Sequence, residues 1–86
     1  MLFLQGYRDM GGPPDLEAHF IERVIPCESN WDVQAISPSG HLGLAQFTQD
    51  SWDKAGGGDW TNAYQQGANT ARWVRLTNPA QQWQCW

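Results

Sequence analysis

The stretch that decides the fold contains Cys27-Glu28-Ser29, then Ser37-Pro38-Ser39-Gly40, and then Gly43-Leu44-Ala45-Gln46-Phe47. The middle segment has proline second and glycine fourth, which are the preferences of a type I turn. A glycine at position 43 lets the backbone approach whatever lies beside it. Between Trp31 and Gly43 we therefore expect a minimal hairpin or only an ordered loop, lining a cleft beside Glu28.

An amphipathic helix is predicted before this stretch. Asp15 follows two prolines and is placed to cap the helix at its N-terminus. Pro26 lacks a backbone donor and restricts Ile25, so we expect the helix to kink or stop early. Glu28 would then lie at the C-terminal end. The apolar residues that recur at helical spacing are Leu16, Phe20, Ile21, Val24 and Ile25.

Glu28 is the candidate general acid. The negative end of a helix macrodipole disfavours a carboxylate anion, and an apolar neighbour such as Trp31 would disfavour it further. A protonated carboxyl group is what general acid catalysis requires. Gln46 adds an amide that donates and accepts hydrogen bonds, which suits the uncharged substituents of an amino sugar. Taken alone, however, a Glu at a helix end is ordinarily a solvated charge.

Short helices with clear ends are predicted for the rest of the chain. Thr48 can cap a helix that runs to about Ala55, with Phe47 and Trp52 placed as a hydrophobic staple. Three glycines end that helix. The sequence therefore predicts a structural role for Trp52 and for Thr48, beside any role of Thr48 in binding.

Two further helices follow. One covers residues 62–76, and its small residues form a face for close packing against the helix before Glu28. A last short helix begins at Asn78-Pro79 and carries Trp83 toward Cys85. The small residues of that packing face are Ala63, Gly67, Ala71 and Val74.

Composition limits the size and the partners of the protein. The chain has 86 residues, with five Lys and Arg against nine Asp and Glu, and a formal net charge of −4. Since the basic residues do not cluster, nucleic-acid binding is not expected. His19 and His41 lack ligand spacing with the two cysteines, so we expect no metal and no other cofactor. One domain fits this length, and we expect a monomer.

An acidic chain would not be attracted to an anionic polymer, so binding of such a substrate should depend on shape, stacking and hydrogen bonds. Six tryptophans are available, and most should pack in the core. We expect Trp31 and Trp60 to face the cleft. No apolar run is long enough for membrane insertion. Met1-Leu2-Phe3-Leu4 is too short for the apolar core of a signal peptide.

The order of these motifs resembles the transglycosylase-like domains of the lysozyme superfamily, and most closely their smallest type, the resuscitation-promoting factors. The resemblance covers residues 15–86, which leaves 1–14 as an N-terminal extension. It implies a mainly α, or α+β lysozyme-like, fold: a small helical domain stapled by one disulfide, with a short hairpin or loop lining the cleft. The residues that carry it are Cys27, Glu28, Gln46, Phe47, Thr48, Trp52, Trp83 and Cys85.

The resemblance also implies an activity and a site. Such domains cleave the peptidoglycan of bacterial cell walls, with Glu28 as the catalytic acid and a Cys27–Cys85 disulfide; two reduced cysteines are the alternative. Larger relatives use a tyrosine in a late helix to orient the acid. Trp73 holds the comparable place here, so such a tyrosine would come from elsewhere, and Tyr64 is one option. The residues expected to contact the substrate are Ser29, Trp31, Gln46, Thr48, Trp60 and Tyr64.

The reaction implied is lytic cleavage of the β-1,4 bond between N-acetylmuramic acid and N-acetylglucosamine, which leaves 1,6-anhydromuramic ends. A hydrolase would need a second carboxylate, and Asp32, Asp50, Asp53 and Asp59 are the candidates nearby in sequence. A wall-binding or signalling module without turnover and an unrelated interaction domain are the alternatives. The expected location is extracellular or in the cell wall. If the protein is exported, we expect its leader peptide to lie outside this sequence, unless a phage delivers the protein.

Overall fold

The computed structural model describes all 86 residues, and the chain is mainly helical, as expected. A 3₁₀ turn, Pro14–Leu16, and a π turn, Phe20–Val24, join two short α-helices into one helical segment, 14–29, which we call the composite helix. Strand is limited to two isolated bridges. The helices are α1 (Leu2–Asp9), α2 (Glu17–His19), α3 (Ile25–Ser29), α4 (Gln49–Lys54), α5 (Ala63–Leu76) and α6 (Pro79–Gln82).

Pro26 does not end the composite helix. The N–H of Ile25 donates to the carbonyl of Phe20, five residues earlier, which widens the helix by one residue just before the proline. Pro26 thereby occupies the first turn of α3, where a missing N–H costs least. The helix ends at Ser29, and Asn30 follows in the left-handed conformation with φ 52°. At the other end, no side chain caps the 3₁₀ turn, so the expected Asp15 cap is absent.

Helix α1 crosses α5 with the two backbones in contact. A Cβ atom added at Gly6 would meet the carbonyl of Tyr64, and one added at Gly67 would meet the carbonyl of Phe3. This crossing buries Phe3 and Tyr7 almost completely. The small face of α5 therefore packs chiefly against α1, and not against the helix before Glu28 as expected. Residues 1–14, predicted to be an extension, contribute to the core.

The core joins the composite helix to the C-terminal residues. Phe20 meets Trp83 edge to face, with ring centroids 5.0 Å apart, and it meets Trp86 in the same manner at 5.5 Å. The indole N–H of Trp83 donates to the carbonyl of Ala45 at 2.9 Å, which fixes the loop before α4 against the core. The C-terminal residues of the chain therefore pack against the composite helix.

The segment between Trp31 and α4 is an ordered loop with minimal strand pairing. Its bridges pair Leu42 with Ile36 and with Phe47. Gln66 of α5 holds this loop from below, because its amide oxygen accepts from the N–H of Leu44 at 2.8 Å. Its amide nitrogen donates to the carbonyls of Val33 and Trp60.

The caps of α4 and α6 follow the sequence prediction. The hydroxyl oxygen of Thr48 accepts from the N–H of Ser51, and Asn62 and Asn78 cap α5 and α6 in the same manner. The staple at α4 is confirmed, since the rings of Phe47 and Trp52 lie 5.4 Å apart. No helix in the structure is both long and apolar enough to cross a membrane.

Candidate active site

Two adjoining cavities form one groove across the surface. Their volumes are about 300 and 310 Å³, and His41, Gln46 and Gln82 line both. The half that contains Glu28 is otherwise walled by the disulfide and by hydroxyl and amide side chains. The other half adds the aromatic rings of Trp73 and Trp83. The groove therefore offers hydrogen-bonding groups in both halves and aromatic rings in the second half only.

Glu28 lies one residue before the end of α3, where the composite helix meets the C-terminal segment. Its Oε2 accepts a hydrogen bond of 3.1 Å from the main-chain N–H of Cys85. The Cys27–Cys85 disulfide is confirmed, with its Cα atoms 6.0 Å apart, and it closes a loop of 58 residues. Cys27 is the residue before Glu28, and the main-chain N–H of Cys85 donates a hydrogen bond to the carboxyl group of Glu28. The disulfide between the two cysteines therefore fixes the position of this carboxyl group.

Gln46 lines both halves of the groove, and Thr48 lines the aromatic half. Gln46 has φ 56°, in the left-handed region, and its amide nitrogen donates to the carbonyl of Gly43 at 2.9 Å. The amide oxygen of Gln46 is left to accept from a ligand. The hydroxyl of Thr48 is already occupied by the cap of α4 and by a 2.7 Å bond with Ser51.

Four residues predicted to contact the substrate do not line the groove. The hydroxyl of Ser29 donates back to the carbonyl of Ile25 within the helix. Trp31 is on the surface, and Trp60 packs against the core. The hydroxyl of Tyr64 donates to Asp9 of α1 at 2.7 Å, and this bond raises the pKa of Tyr64. These four side chains therefore contact other parts of the protein or solvent, and none of them lines the cavity that contains Glu28.

A family model for the transglycosylase-like domain matches residues 17–86. The chain belongs to this family. The comparison with curated proteins and the comparison with solved structures find no match. The matched residues include the whole groove, whereas α1 lies before them.

Sequence reasoning missed part of the groove of this transglycosylase-like domain. Gln82, Gln84 and Trp73 line it without having been predicted to do so. The first two could have been found from the disulfide, because pairing Cys27 with Cys85 brings the neighbours of Cys85 beside Glu28. Trp73 carries no such signal, since its position depends on how α5 is rotated in the core.

The carboxylates that could assist Glu28 in the transglycosylase-like domain are not in its cavity. Asp50 lines the adjoining half and forms a 2.8 Å ion pair with Lys54. Asp32 accepts from the N–H of Gln34 in an exposed turn. Asp53 and Asp59 are also exposed, and hydrogen bonds from Thr61 lower the pKa of Asp59. Nowhere do three His, Cys, Asp or Glu side chains gather as a metal site would require.

Proposed function

We propose that this protein cleaves the β-1,4 bond between N-acetylmuramic acid and N-acetylglucosamine in peptidoglycan glycan strands, by lytic transglycosylation. The observation that carries the proposal is the position of Glu28. Its carboxyl group lines the groove, is fixed on one oxygen by Cys85, and has no second carboxylate in its cavity. A single acid beside a polar cavity fits a reaction in which the substrate supplies its own nucleophile.

The chemistry of the groove supports a sugar substrate. Glucosamine derivatives carry hydroxyl and acetamido groups that both donate and accept, and Gln46, Gln82 and Gln84 offer matching amides. Sugar rings also have apolar faces, for which the half-buried Trp73 provides a surface in the adjoining half.

The proposed reaction begins with proton transfer from Glu28 to the glycosidic oxygen, and the bond from that oxygen to C1 of the muramic residue breaks. The 6-hydroxyl oxygen of the same residue then bonds to C1 and loses its proton to a base. This ring closure gives a 1,6-anhydro end without water. The acetamido group of the substrate stabilises the cation-like centre in place of a second carboxylate.

Hydrolysis of the same bond is the second candidate, and one observation favours it. Asp50 lines the same groove as Glu28, in the adjoining half, and hydrolysis would require a second carboxylate in the groove. The ion pair with Lys54 argues against this role, because it neutralises the carboxylate and holds it on the surface of α4. We therefore rank the lytic reaction first.

The proposal extends to location and assembly. A disulfide in the wall of the groove suits an oxidising compartment. We therefore propose that the protein acts outside the cytoplasm, at the cell wall, as a monomer that is secreted or delivered by a phage. A module that binds or signals at the wall without turnover would retain the groove but would not need Glu28. The affinity of such a module for peptidoglycan would not depend on the carboxyl group of Glu28.

Replacing Glu28 by Gln tests the proposal. Glu28→Gln keeps the shape and removes the proton donor, and Glu22→Gln is the matched control, since Glu22 is exposed on the same composite helix outside the groove. We expect wild type and Glu22→Gln to release soluble fragments from purified peptidoglycan, and Glu28→Gln to release at least about 100-fold less while still binding it. Equal release by all three proteins would refute the role of Glu28.

A further inference from the structure

We propose that His41 is the second proton-transfer group of this site, and that it accepts the proton of the 6-hydroxyl during ring closure. This inference rests on the proposed function, because it assigns the base of the same reaction. In the simplest mechanism the carboxylate of Glu28 would do both tasks in turn. In the proposed mechanism a separate side chain that lines the same cavity does the second task.

His41 lies where the two halves of the groove meet, and it lines both. Apart from Glu28, it is the only titratable side chain around the cavity that contains the acid. The charged groups in the adjoining half are Asp50 and Lys54 of α4, which are paired with each other. Helix α6 contributes the neutral Gln82. No other ionisable group around this cavity can take a proton while Glu28 gives one.

Two serines orient the ring. Nδ1 of His41 lies 2.9 Å from the hydroxyl of Ser39, which lies 3.0 Å from the hydroxyl of Ser37. The oxygen of Ser37 accepts from the main-chain N–H of His41 at 3.0 Å, and this closes a small ring of hydrogen bonds. The turn that contains these serines is held by the N–H of Gly40, which donates to the carbonyl of Ser37.

This arrangement suits a group that gains and loses a proton without moving. Hydroxyls both donate and accept, so the chain of Ser37 and Ser39 can run in either direction. When Nδ1 donates to Ser39, Nε2 carries a lone pair and has no partner within the protein. When Nε2 gains a proton, Nδ1 still donates to Ser39, so the charged ring keeps the same bond.

The step balances with these groups alone. Glu28 gives its proton to the glycosidic oxygen as the bond to C1 breaks. The 6-hydroxyl oxygen forms a bond to C1, and its proton passes to Nε2 of His41, which becomes an imidazolium. Glu28 ends as a carboxylate, and the proton returns from His41 to Glu28 through solvent before the next turnover. No oxidant, metal or other reactant is needed.

Replacing His41 by Gln, with Asn as a second variant in case Gln disturbs the turn, tests the inference on soluble glycan strands. We expect kcat to fall about 100-fold with KM changed less than about threefold, because a general base acts in the transition state. The pH profile of the wild-type kcat should have two limbs, one for the acid and one for the base, and the His41 variants should lose the limb of the base. Ser39→Ala should lower kcat by less and keep both limbs, as expected for a positioning residue.

The outcomes separate this inference from the proposed function. If Glu28→Gln is inactive and both His41 variants, folded by circular dichroism, keep the wild-type kcat and both limbs, the inference fails and the proposed function stands. A change in KM alone would also overturn it and leave His41 as a binding residue. If Glu28→Gln turns over normally, the proposed function itself fails.

Discussion

The main-chain N–H of Cys85 donates a hydrogen bond of 3.1 Å to Oε2 of Glu28, across 57 residues of sequence. The side chain of Cys85 is bonded to Cys27, the residue before that acid. The covalent link and the hydrogen bond thus act on the same short segment. The position of the proposed acid therefore depends on the C-terminus of the chain, and any change that releases the C-terminus should affect activity as well as stability.

Reduction of the Cys27–Cys85 disulfide should destabilise the fold. The chain-entropy model gives about 4 kcal/mol for a loop of 58 residues. Urea unfolding with and without a reductant should show a lower free energy of unfolding in the reduced state. The double variant Cys27→Ser/Cys85→Ser is the control: it should match the reduced wild type and ignore the reductant. An unchanged unfolding midpoint after verified reduction would contradict this prediction.

Replacing Gln66 by Leu should loosen the loop that lines the groove. Gln66 is 1% exposed and satisfies the N–H of Leu44 and the carbonyls of Val33 and Trp60. Leaving these groups unpaired should cost about 3 kcal/mol. Gln5→Leu, at an exposed position of α1 with no side-chain hydrogen bond, is the control and should stay within about 0.5 kcal/mol of wild type by urea unfolding. Similar losses for both variants would show that the loop does not depend on this amide.

The sequence predicts the helices near their caps because capping is a local interaction. Thr48 and Asn78 each accept from a backbone N–H two or three residues later, so spacing identifies them, although the same reasoning predicted a cap at Asp15 that the structure does not have. The partner of α5 could not be identified in this way. Gly6 and Gly67 are far apart in sequence, and either glycine alone gives no sign of the other.

Replacing Gly67 by Ala should destabilise the fold although alanine is the better helix former. A Cβ at this position would meet the carbonyl of Phe3, so α1 and α5 would have to separate. We expect a net loss of about 2 kcal/mol, measured by thermal or urea unfolding, since overpacking outweighs the helical preference. Gly57→Ala, where no atom lies within 4 Å but φ is +63°, provides the comparison and should lose about 1 kcal/mol. A more stable Gly67→Ala variant would contradict the close crossing.

The alkaline limit of stability should depend on Tyr7. Burial, together with the negative charges of Glu17 and Asp15, raises the pKa of Tyr7 to about 12. Because the folded state favours the protonated phenol, stability is full below pH 10 and falls as the pH rises toward 12. Tyr7→Phe loses the 2.7 Å bond to the carbonyl of Pro13 but should show a smaller alkaline decrease. Equal alkaline decreases in both proteins, measured by urea unfolding at pH 8 to 11, would exclude this group as the cause.

The sequence predicts those residues of the site that belong to local motifs or lie beside the two cysteines. Glu28 and Gln46 belong to short motifs, and both line the groove. Trp60 was expected at the substrate from aromatic chemistry, and Tyr64 from the tyrosine that orients the acid in larger relatives. Neither argument says which way a side chain points. The packing of α1, absent from the sequence prediction, supplies Asp9 as the partner of Tyr64 and so removes that hydroxyl from the groove.

The most direct test of the proposed function is mass spectrometry of the soluble muropeptides that the protein releases from purified peptidoglycan, measured beside Glu28→Gln and Glu22→Gln. Lytic cleavage predicts 1,6-anhydromuramic ends from wild type and Glu22→Gln, and none from Glu28→Gln. Each such end is lighter by one water than a reducing end. Reducing ends from wild type would contradict the lytic reaction and favour hydrolysis with Asp50. The absence of any released fragment would contradict the enzyme itself.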